Sequence, residues 1–189
     1  MGLEKSITLF WDQNIGHMSE PQAEVILNKL KGKNTNEILE IGFAGGRHTY
    51  AILKTFSVNK MITVDIDFDY QGGRRKIDEI RNEFSNIKFV EGDSKKILTE
   101  DFINENFPNG IDYVLVDGGH GYGDAFSDMV NVFKYIKPGG LMIVDDYKSK
   151  VCPLSSVDKA VEDFSRTYSV EFETVSSEDG KGMAIFTHG

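Results

Sequence analysis

EILEIGFAGGRHTYAIL, residues 37–53, places a short apolar run, a glycine-rich turn and the start of a helical pattern in immediate succession. The run is short, apolar and close to continuous, which is typical of a parallel strand buried on both faces. Gly42, Gly45 and Gly46 let the backbone turn tightly and approach a ligand closely. The stretch therefore predicts a strand, turn and helix unit of an α/β protein.

The same order of strand and helix recurs along the chain. Further apolar runs typical of buried strands lie at residues 60–65, 87–92, 111–117 and 141–146. Amphipathic helix patterns follow the second and fourth strands, and two alternating strands at 168–175 and 182–188 follow a helix near 157–168. Strands that alternate with helices require right-handed crossovers. We therefore predict a doubly wound, Rossmann-like sheet of five parallel strands plus a C-terminal antiparallel hairpin, with helices on both faces.

The N-terminal part of the chain precedes this sheet. Ser19, with Gln22 three residues later, forms a capping box that predicts an early helix. Phe10 and Trp11 fit a lid, a dimer contact or plain core packing. With 189 residues and no linker-like stretch, we expect a single domain over residues 1–189, in which residues 1–35 form an N-terminal lid or helix region that includes His17 and Met18.

Composition excludes several classes of partner. The net charge of −9, from 21 basic and 30 acidic residues, argues against a nucleic-acid groove. No apolar run reaches the roughly 18 residues that a membrane helix needs, and the stretch MGLEKSITLFWDQN lacks the features of a secretory signal, so we expect a cytoplasmic protein without a membrane partner. Cys152 is the only cysteine, which excludes an intrachain disulfide and a cysteine-based zinc site.

The glycine spacing in residues 42–46 excludes two nucleotide-binding motifs. It is G-x-x-G-G rather than the G-x-G-x-x-G of dinucleotide-binding proteins, which disfavours a nicotinamide cofactor. It is also not the G-x-x-x-x-G-K-[ST] loop that holds a nucleotide triphosphate.

The pattern E-x-G-x-x-x-G after the first strand resembles the S-adenosylmethionine (SAM) loop of class I methyltransferases. The resemblance covers the chain from about Met18 to the terminal hairpin and implies SAM as cofactor. It implies that Asp65 accepts hydrogen bonds from the ribose hydroxyls of SAM and that Asp93 and Ser94 contact the adenine. It also implies that His48 lies near the carboxylate of the methionine part of SAM. The cofactor contacts that it implies are Glu40, Gly42, Phe43, Gly46, His48, Asp65, Ile66, Asp93, Ser94 and Asp117.

Two plainer interpretations of these residues stay open. The glycines can serve only to turn the chain, and Asp65 can be a solvated turn acid. A calcium loop built on Asp65, Asp67 and Asp69 fails, because Tyr70 stands where the loop needs glycine.

Acidic residues also follow the fourth and fifth predicted strands. VDGGHGY, residues 116–122, contains Asp117, and VDDY, residues 144–147, contains Asp145 and Asp146. Adjacent parallel strands bring these acids to one edge, where three carboxylates repel one another unless a cation neutralises them. Mg²⁺ is the default cation for such oxygen ligands, and Mn²⁺ or Ca²⁺ also fits. The alternative is that Asp117 bonds the cofactor or caps a helix and Asp146 caps a loop, without a metal.

This arrangement resembles the metal-dependent O-methyltransferases of the catechol and macrocin types, which use an acid after strand four and a pair after strand five. The Asp-Asp pair is closer to the macrocin type, because the catechol type has Asp-Asn. DGGHGY also resembles the D-G-x-H-x-Y signature of a bacterial methyltransferase group. The resemblance implies Asp117, Asp145 and Asp146 as metal ligands and Asp117 and His120 as catalytic residues, with His120 at the position of the catechol family's lysine base. The alternative for His120 is a histidine at the helix entry that has no role in proton transfer.

Together these features predict a SAM-dependent methyltransferase that modifies a hydroxyl of a small molecule with the help of a divalent metal. Oxygen is favoured over nitrogen because the chain has DGGH where many amino-methyltransferases have [DN]-P-P-[YF]. A non-catalytic SAM-binding module and an NAD-dependent oxidoreductase are the alternatives. The short segment from Tyr147 to Ser156 leaves the acceptor pocket either open or completed by a second subunit, as in a homodimer.

Overall fold

The computed structural model describes residues 4–12 and 18–189 and contains one seven-stranded sheet. Its strands are β1 (Glu37–Ile41), β2 (Lys60–Asp65), β3 (Ile87–Glu91), β4 (Ile111–Val116), β5 (Ile136–Asp145), β6 (Phe172–Ser176) and β7 (Gly182–Thr187). The spatial order is β3-β2-β1-β4-β5-β7-β6. Strands β1 to β5 run parallel, and β7 pairs antiparallel with both β5 and β6, which confirms the predicted sheet and its terminal hairpin.

Helices cover both faces of this sheet, as predicted. They are α1 (Lys5–Asp12), α2 (Glu20–Leu30), α3 (Arg47–Thr55), α4 (Gly73–Glu83), α5 (Ser94–Ile97), α6 (Glu100–Asn106), α7 (Tyr122–Phe133) and α8 (Val157–Tyr168). Successive strand residues alternate between two apolar layers: Ile38 packs with α1 to α4, and Leu39 packs with α6 to α8. The sheet order reverses between β1 and β4, and open α/β sheets bind ligands at such a reversal.

Some element bounds differ from the sequence-based prediction. β5 begins at Ile136 rather than at residue 141. Its pairing with β4 shifts register between Ile111 and Tyr113, and this irregularity accommodates Pro138 and the two glycines after it. β6 begins at Phe172 because α8 runs to Tyr168 and ends on Ser169, whose φ is 54°. The short helices α5 and α6 were not predicted, and side-chain oxygens of Asp93 and Thr99 cap them.

The aromatic residues of α1 belong to the core. Phe10 stacks on Tyr50 of α3 with ring centroids 4.0 Å apart, and the Trp11 Nε1 donates to the Met18 carbonyl oxygen at 3.1 Å. Both side chains are buried. The structure therefore favours core packing for Phe10 and Trp11, while His17 lies outside the described residues.

None of the helices in residues 4–12 and 18–189 is at once long and apolar enough to cross a bilayer.

Candidate active site

A cavity of about 670 Å³ lies at the carboxyl ends of β1 to β5, within the size range of small-molecule sites. It is where the sheet order reverses. Most of the predicted site residues line it: Gly42, Phe43, Asp65, Ile66, Asp93, Ser94, Asp117, His120, Asp145 and Asp146. The strand ends therefore bring these residues, distant in sequence, to one place.

The turn after β1 touches the turn after β4 at Gly42. A Cβ on Gly42 would lie 1.9 Å from the Asp117 carbonyl oxygen, and φ at Gly42 is +94°. The Asp117 N–H donates to the Ile41 carbonyl at 2.8 Å, which ties the two turns together. Gly42 is therefore required by the contact between these turns as well as by its backbone conformation.

Asp65, at the end of β2, organises the glycine turn. Its Oδ2 accepts from the Phe43 N–H at 2.6 Å and the Ala44 N–H at 3.3 Å, and its Oδ1 accepts from the Asp67 N–H at 2.9 Å. Each carboxylate oxygen has two lone pairs, so Oδ2 is fully used and Oδ1 retains one acceptor position, in a residue that lines the cavity.

Three of the predicted cofactor residues lie behind the glycine turn and do not line the cavity. Glu40 is buried, and its carboxylate accepts from Thr49 at 2.5 Å and Thr63 at 2.6 Å and contacts His48 Nδ1 at 2.6 Å. The other nitrogen of His48 lies 2.9 Å from the Tyr113 hydroxyl. A Cβ on Gly46 would strike the Phe43 ring at 2.5 Å. In this structure Glu40, Gly46 and His48 support the turn from below.

The end of the cavity after β3 carries a second polar cluster. The Ser94 hydroxyl donates to Oδ1 of buried Asp128 on α7 at 2.6 Å. Burial raises the pKa of Asp128 to about 6, against the lowering effect of the Ser94 hydrogen bond. Asp93 caps α5 by accepting from the Lys95 N–H at 3.1 Å. Asp93 and Ser94 both line the cavity, and Ser94 also joins α5 to α7.

At the opposite end the three predicted metal ligands converge. Carboxylate oxygens of Asp117, Asp145 and Asp146 lie within 4.8 Å of one another. Burial, followed by the charges of Asp145 and Asp146, raises the pKa of Asp117 well above its usual value. Burial and the charge of Asp146 likewise raise the pKa of Asp145. Clustered carboxylate oxygens that resist ionisation fit a hard divalent cation, which would stabilise all three in the charged form.

His120 stands beside this acidic cluster. Its Nδ1 lies 3.0 Å from Asp146 Oδ2 and 3.1 Å from Cys152 Sγ. The Asp146 hydrogen bond raises the pKa of His120, and burial opposes it. Burial would raise the pKa of Asp146, but the hydrogen bond and the charge of His120 outweigh it, and the pKa falls below its usual value. Asp146 itself has a left-handed backbone, with φ of 61°.

Sequence reasoning missed three residues at this end: Cys152, which contacts His120, and also Gln22 and Lys181. Gln22 of α2, identified only as part of the capping box, also donates to Asp145 at 2.5 Å. Lys181, in the turn between β6 and β7, lines the cavity, and its charge lowers the pKa of Asp145. Tyr122, the last residue of the DGGHGY segment, donates to Asp163 at 3.1 Å and does not line the cavity. No local pattern marks Gln22 or Lys181, because both reach the site from distant elements.

The fold is that of the class I methyltransferases. Residues 39–147, more than half of the chain, match the model of a family described as "Methyltransferase domain". The chain belongs to this methyltransferase-domain family.

Solved structures and curated proteins add further comparisons. The O-methyltransferase from Bacillus cereus in complex with S-adenosylhomocysteine (SAH) is similar with a TM-score of 0.77, at 15% identity over 98% of this chain and 91% of that one. The O-methyltransferase TomG from Streptomyces achromogenes, in complex with SAM, gives 0.74 at 14% identity over 98% and 91%. The N-methyltransferase NodS from Bradyrhizobium japonicum gives 0.64 at 16% identity over 89% and 96%. At these identities the likeness shows the fold.

Among curated proteins, an uncharacterised protein of Acanthamoeba polyphaga mimivirus is 39% identical over 46 residues. That match spans 24% of this chain and only 21% of the viral protein.

Proposed function

We propose that this protein transfers a methyl group from SAM to a hydroxyl of a small molecule, with the help of a divalent cation. The observation that carries the proposal is that one cavity has a nucleoside-binding type of end and an acidic end. Asp65 and Asp93 stand at one end, and the Asp117, Asp145 and Asp146 cluster with His120 stands at the other. Membership of the methyltransferase-domain family supports methyl transfer as the reaction.

The cofactor end offers what a nucleoside needs. Asp65 has one acceptor position left, on Oδ1, for a ribose hydroxyl, and the glycine turn that it holds leaves room for close backbone approach. Ile66 is exposed at the cavity wall, where an apolar side chain suits the face of an adenine ring. When bound, SAM supplies a methyl group on a sulfonium, and transfer requires an oxygen nucleophile held about 3 Å from the methyl carbon.

The acidic end suits deprotonation of a hydroxyl. Asp117, Asp145 and Asp146 would hold the cation, which makes a coordinated hydroxyl more acidic. Asp146 next to Nδ1 of His120 favours the tautomer with its proton on Nδ1. Nε2 is then the acceptor for the proton of the substrate.

Two features favour oxygen as the methyl acceptor. The sequence after β4 is DGGH, which contributes Asp117 to the acidic cluster. Such a cluster suits a cation that makes a hydroxyl more acidic. Two of the similar structures named above are O-methyltransferases. NodS, an N-methyltransferase, shares the fold, so the architecture alone does not select oxygen, and the acidic site is the stronger support.

Calorimetric titration with SAM, SAH and NAD tests the cofactor, and transfer of a labelled methyl group to catechols and sugars, with Mg²⁺ or a chelator, tests the reaction. We expect SAM and SAH to bind and NAD not to bind. Asp145→Asn should keep SAM uptake and lose turnover.

Absence of SAM and SAH uptake would overturn the proposal. SAM uptake without transfer to any acceptor would favour a non-catalytic binding module, and NAD uptake an oxidoreductase.

A further inference from the structure

A second group of potential metal ligands overlaps the edge of the acidic cluster. Nδ1 of His120, a carboxylate oxygen of Asp146 and Sγ of Cys152 lie within 4.8 Å of one another. Nδ1 is the central atom, at 3.0 Å from the carboxylate and 3.1 Å from the sulfur. One nitrogen, one oxygen and one sulfur donor thus lie close together.

Backbone hydrogen bonds hold these donors in place. The Ser156 N–H donates to the His120 carbonyl at 3.0 Å, which joins the turn after β4 to the segment that carries Cys152. The Ser155 N–H donates to the Cys152 carbonyl at 3.1 Å. Asp146 is buried, whereas the His120 side chain is 52% exposed. The group is therefore preorganised on its inner side and open to an ion and to water on its outer side.

The donor types select the class of ion. Thiolate and imidazole ligands favour Zn²⁺ and similar transition metals, whereas Mg²⁺ takes oxygen ligands. We infer that His120, Asp146 and Cys152 form a transition-metal site, typically for Zn²⁺, with three protein ligands and one position for water. On binding, the Cys152 thiol releases its proton to solvent and forms a sulfur–metal bond. Nδ1 donates its lone pair, so the proton of the neutral ring resides on Nε2.

This site revises the expectation drawn from the cysteine count. A single cysteine cannot form an all-cysteine zinc site, but it can complete a mixed one. The sequence hides the group because Cys152 lies 32 residues from His120.

Occupancy of this site has a consequence that rests on the proposed function. A metal on Nδ1 leaves Nε2 protonated, so His120 can no longer accept the proton of a substrate. The site also shares Asp146 with the proposed Mg²⁺ ligands. Zn²⁺ should therefore inhibit methyl transfer.

Co²⁺ is the probe for the site, because a thiolate–Co²⁺ bond gives a charge-transfer band in the near ultraviolet. We expect this band in the wild-type protein and its displacement by Zn²⁺. Cys152→Ala should abolish the band and weaken Zn²⁺ binding at least about tenfold. His120→Ala should weaken Zn²⁺ binding by a similar factor. Asp117→Asn is the matched control, because it alters the oxygen cluster and leaves all three donors in place, so the band should persist.

Absence of the band in the wild type, or equal Zn²⁺ affinity in Cys152→Ala, would overturn the site. The proposed function fails separately: a protein that binds Co²⁺ through Cys152 but takes up neither SAM nor SAH retains the site and loses the function.

Discussion

The side-chain amide of Gln22 donates a 2.5 Å hydrogen bond to Oδ1 of Asp145, across 123 positions of the chain. The same side chain accepts from the Ser19 N–H at 3.4 Å and so completes the capping box of α2. The start of α2 is thereby fastened to the acidic end of the cavity.

Replacing Gln22 should destabilise the protein. Gln22→Ala leaves buried Asp145 without this donor and removes half of the capping box, so we expect the free energy of unfolding to fall by about 1–3 kcal/mol. Urea denaturation measures the change. Asn28→Ala on the exposed face of the same helix is the control and should stay within about 0.5 kcal/mol of wild type. Equal stability of the two variants would show that the Gln22 contact contributes nothing.

Gly42→Ala should be far more damaging than an alanine at another left-handed glycine. The new Cβ would meet the Asp117 carbonyl at 1.9 Å, whereas Gly32, with φ of +78°, has nothing within 4 Å. Gly32→Ala should cost about 1 kcal/mol from backbone conformation alone. Gly42→Ala adds the steric clash, for a total of at least about 3 kcal/mol in urea denaturation. Similar losses in both variants would contradict the close contact of the two turns.

Stability should depend on pH through Asp128. Its folded-state pKa of about 6 lies above the usual value, so the folded protein binds this proton more tightly than the unfolded chain does. The stabilisation is complete below about pH 4 and is lost as the pH rises through about 6. Asp128→Asn keeps an acceptor for Ser94 and should lack this component, on the order of 1–3 kcal/mol. Parallel pH profiles of unfolding for the two proteins would contradict the assignment.

Mg²⁺ should raise the melting temperature of the wild-type protein. A ligand at 100 times its dissociation constant stabilises the folded state by about 2.7 kcal/mol. Asp117→Asn and Asp145→Asn should lose most of this effect, whereas Asp101→Asn, on the surface of α6, should retain it. A wild-type melting temperature that does not respond to Mg²⁺ would contradict cation binding by the three acids.

The strands and the strand-end residues could be predicted because they depend on local patterns. Apolar runs mark β1 to β5, and parallel strands bring Asp65, Asp117 and Asp145 to one edge of the sheet whatever their separation in sequence. The convergence of Asp117 and Asp145 follows from the same rule, whereas Asp146 joins them through its left-handed backbone.

What escaped prediction depends on contacts between distant elements. Glu40 and His48 fit a cofactor motif in sequence, but only the packing shows Thr49, Thr63 and Tyr113 around them. Gln22, Cys152 and Lys181 reach the site from outside the strand ends, so no spacing rule reveals them. The early start of β5 was hidden because Pro-Gly-Gly ordinarily signals a turn.

The left-handed backbone at Asp146 explains how two successive residues serve one cavity. In an extended strand, neighbouring side chains point to opposite faces, yet Asp145 and Asp146 both reach Asp117. The reversal of φ at Asp146 accomplishes this. Aspartate and asparagine are the non-glycine residues that adopt this conformation most readily, and both carry an oxygen that can bind a cation. With the proposed cation bound, backbone geometry and ligand chemistry would restrict this position to the same two amino acids.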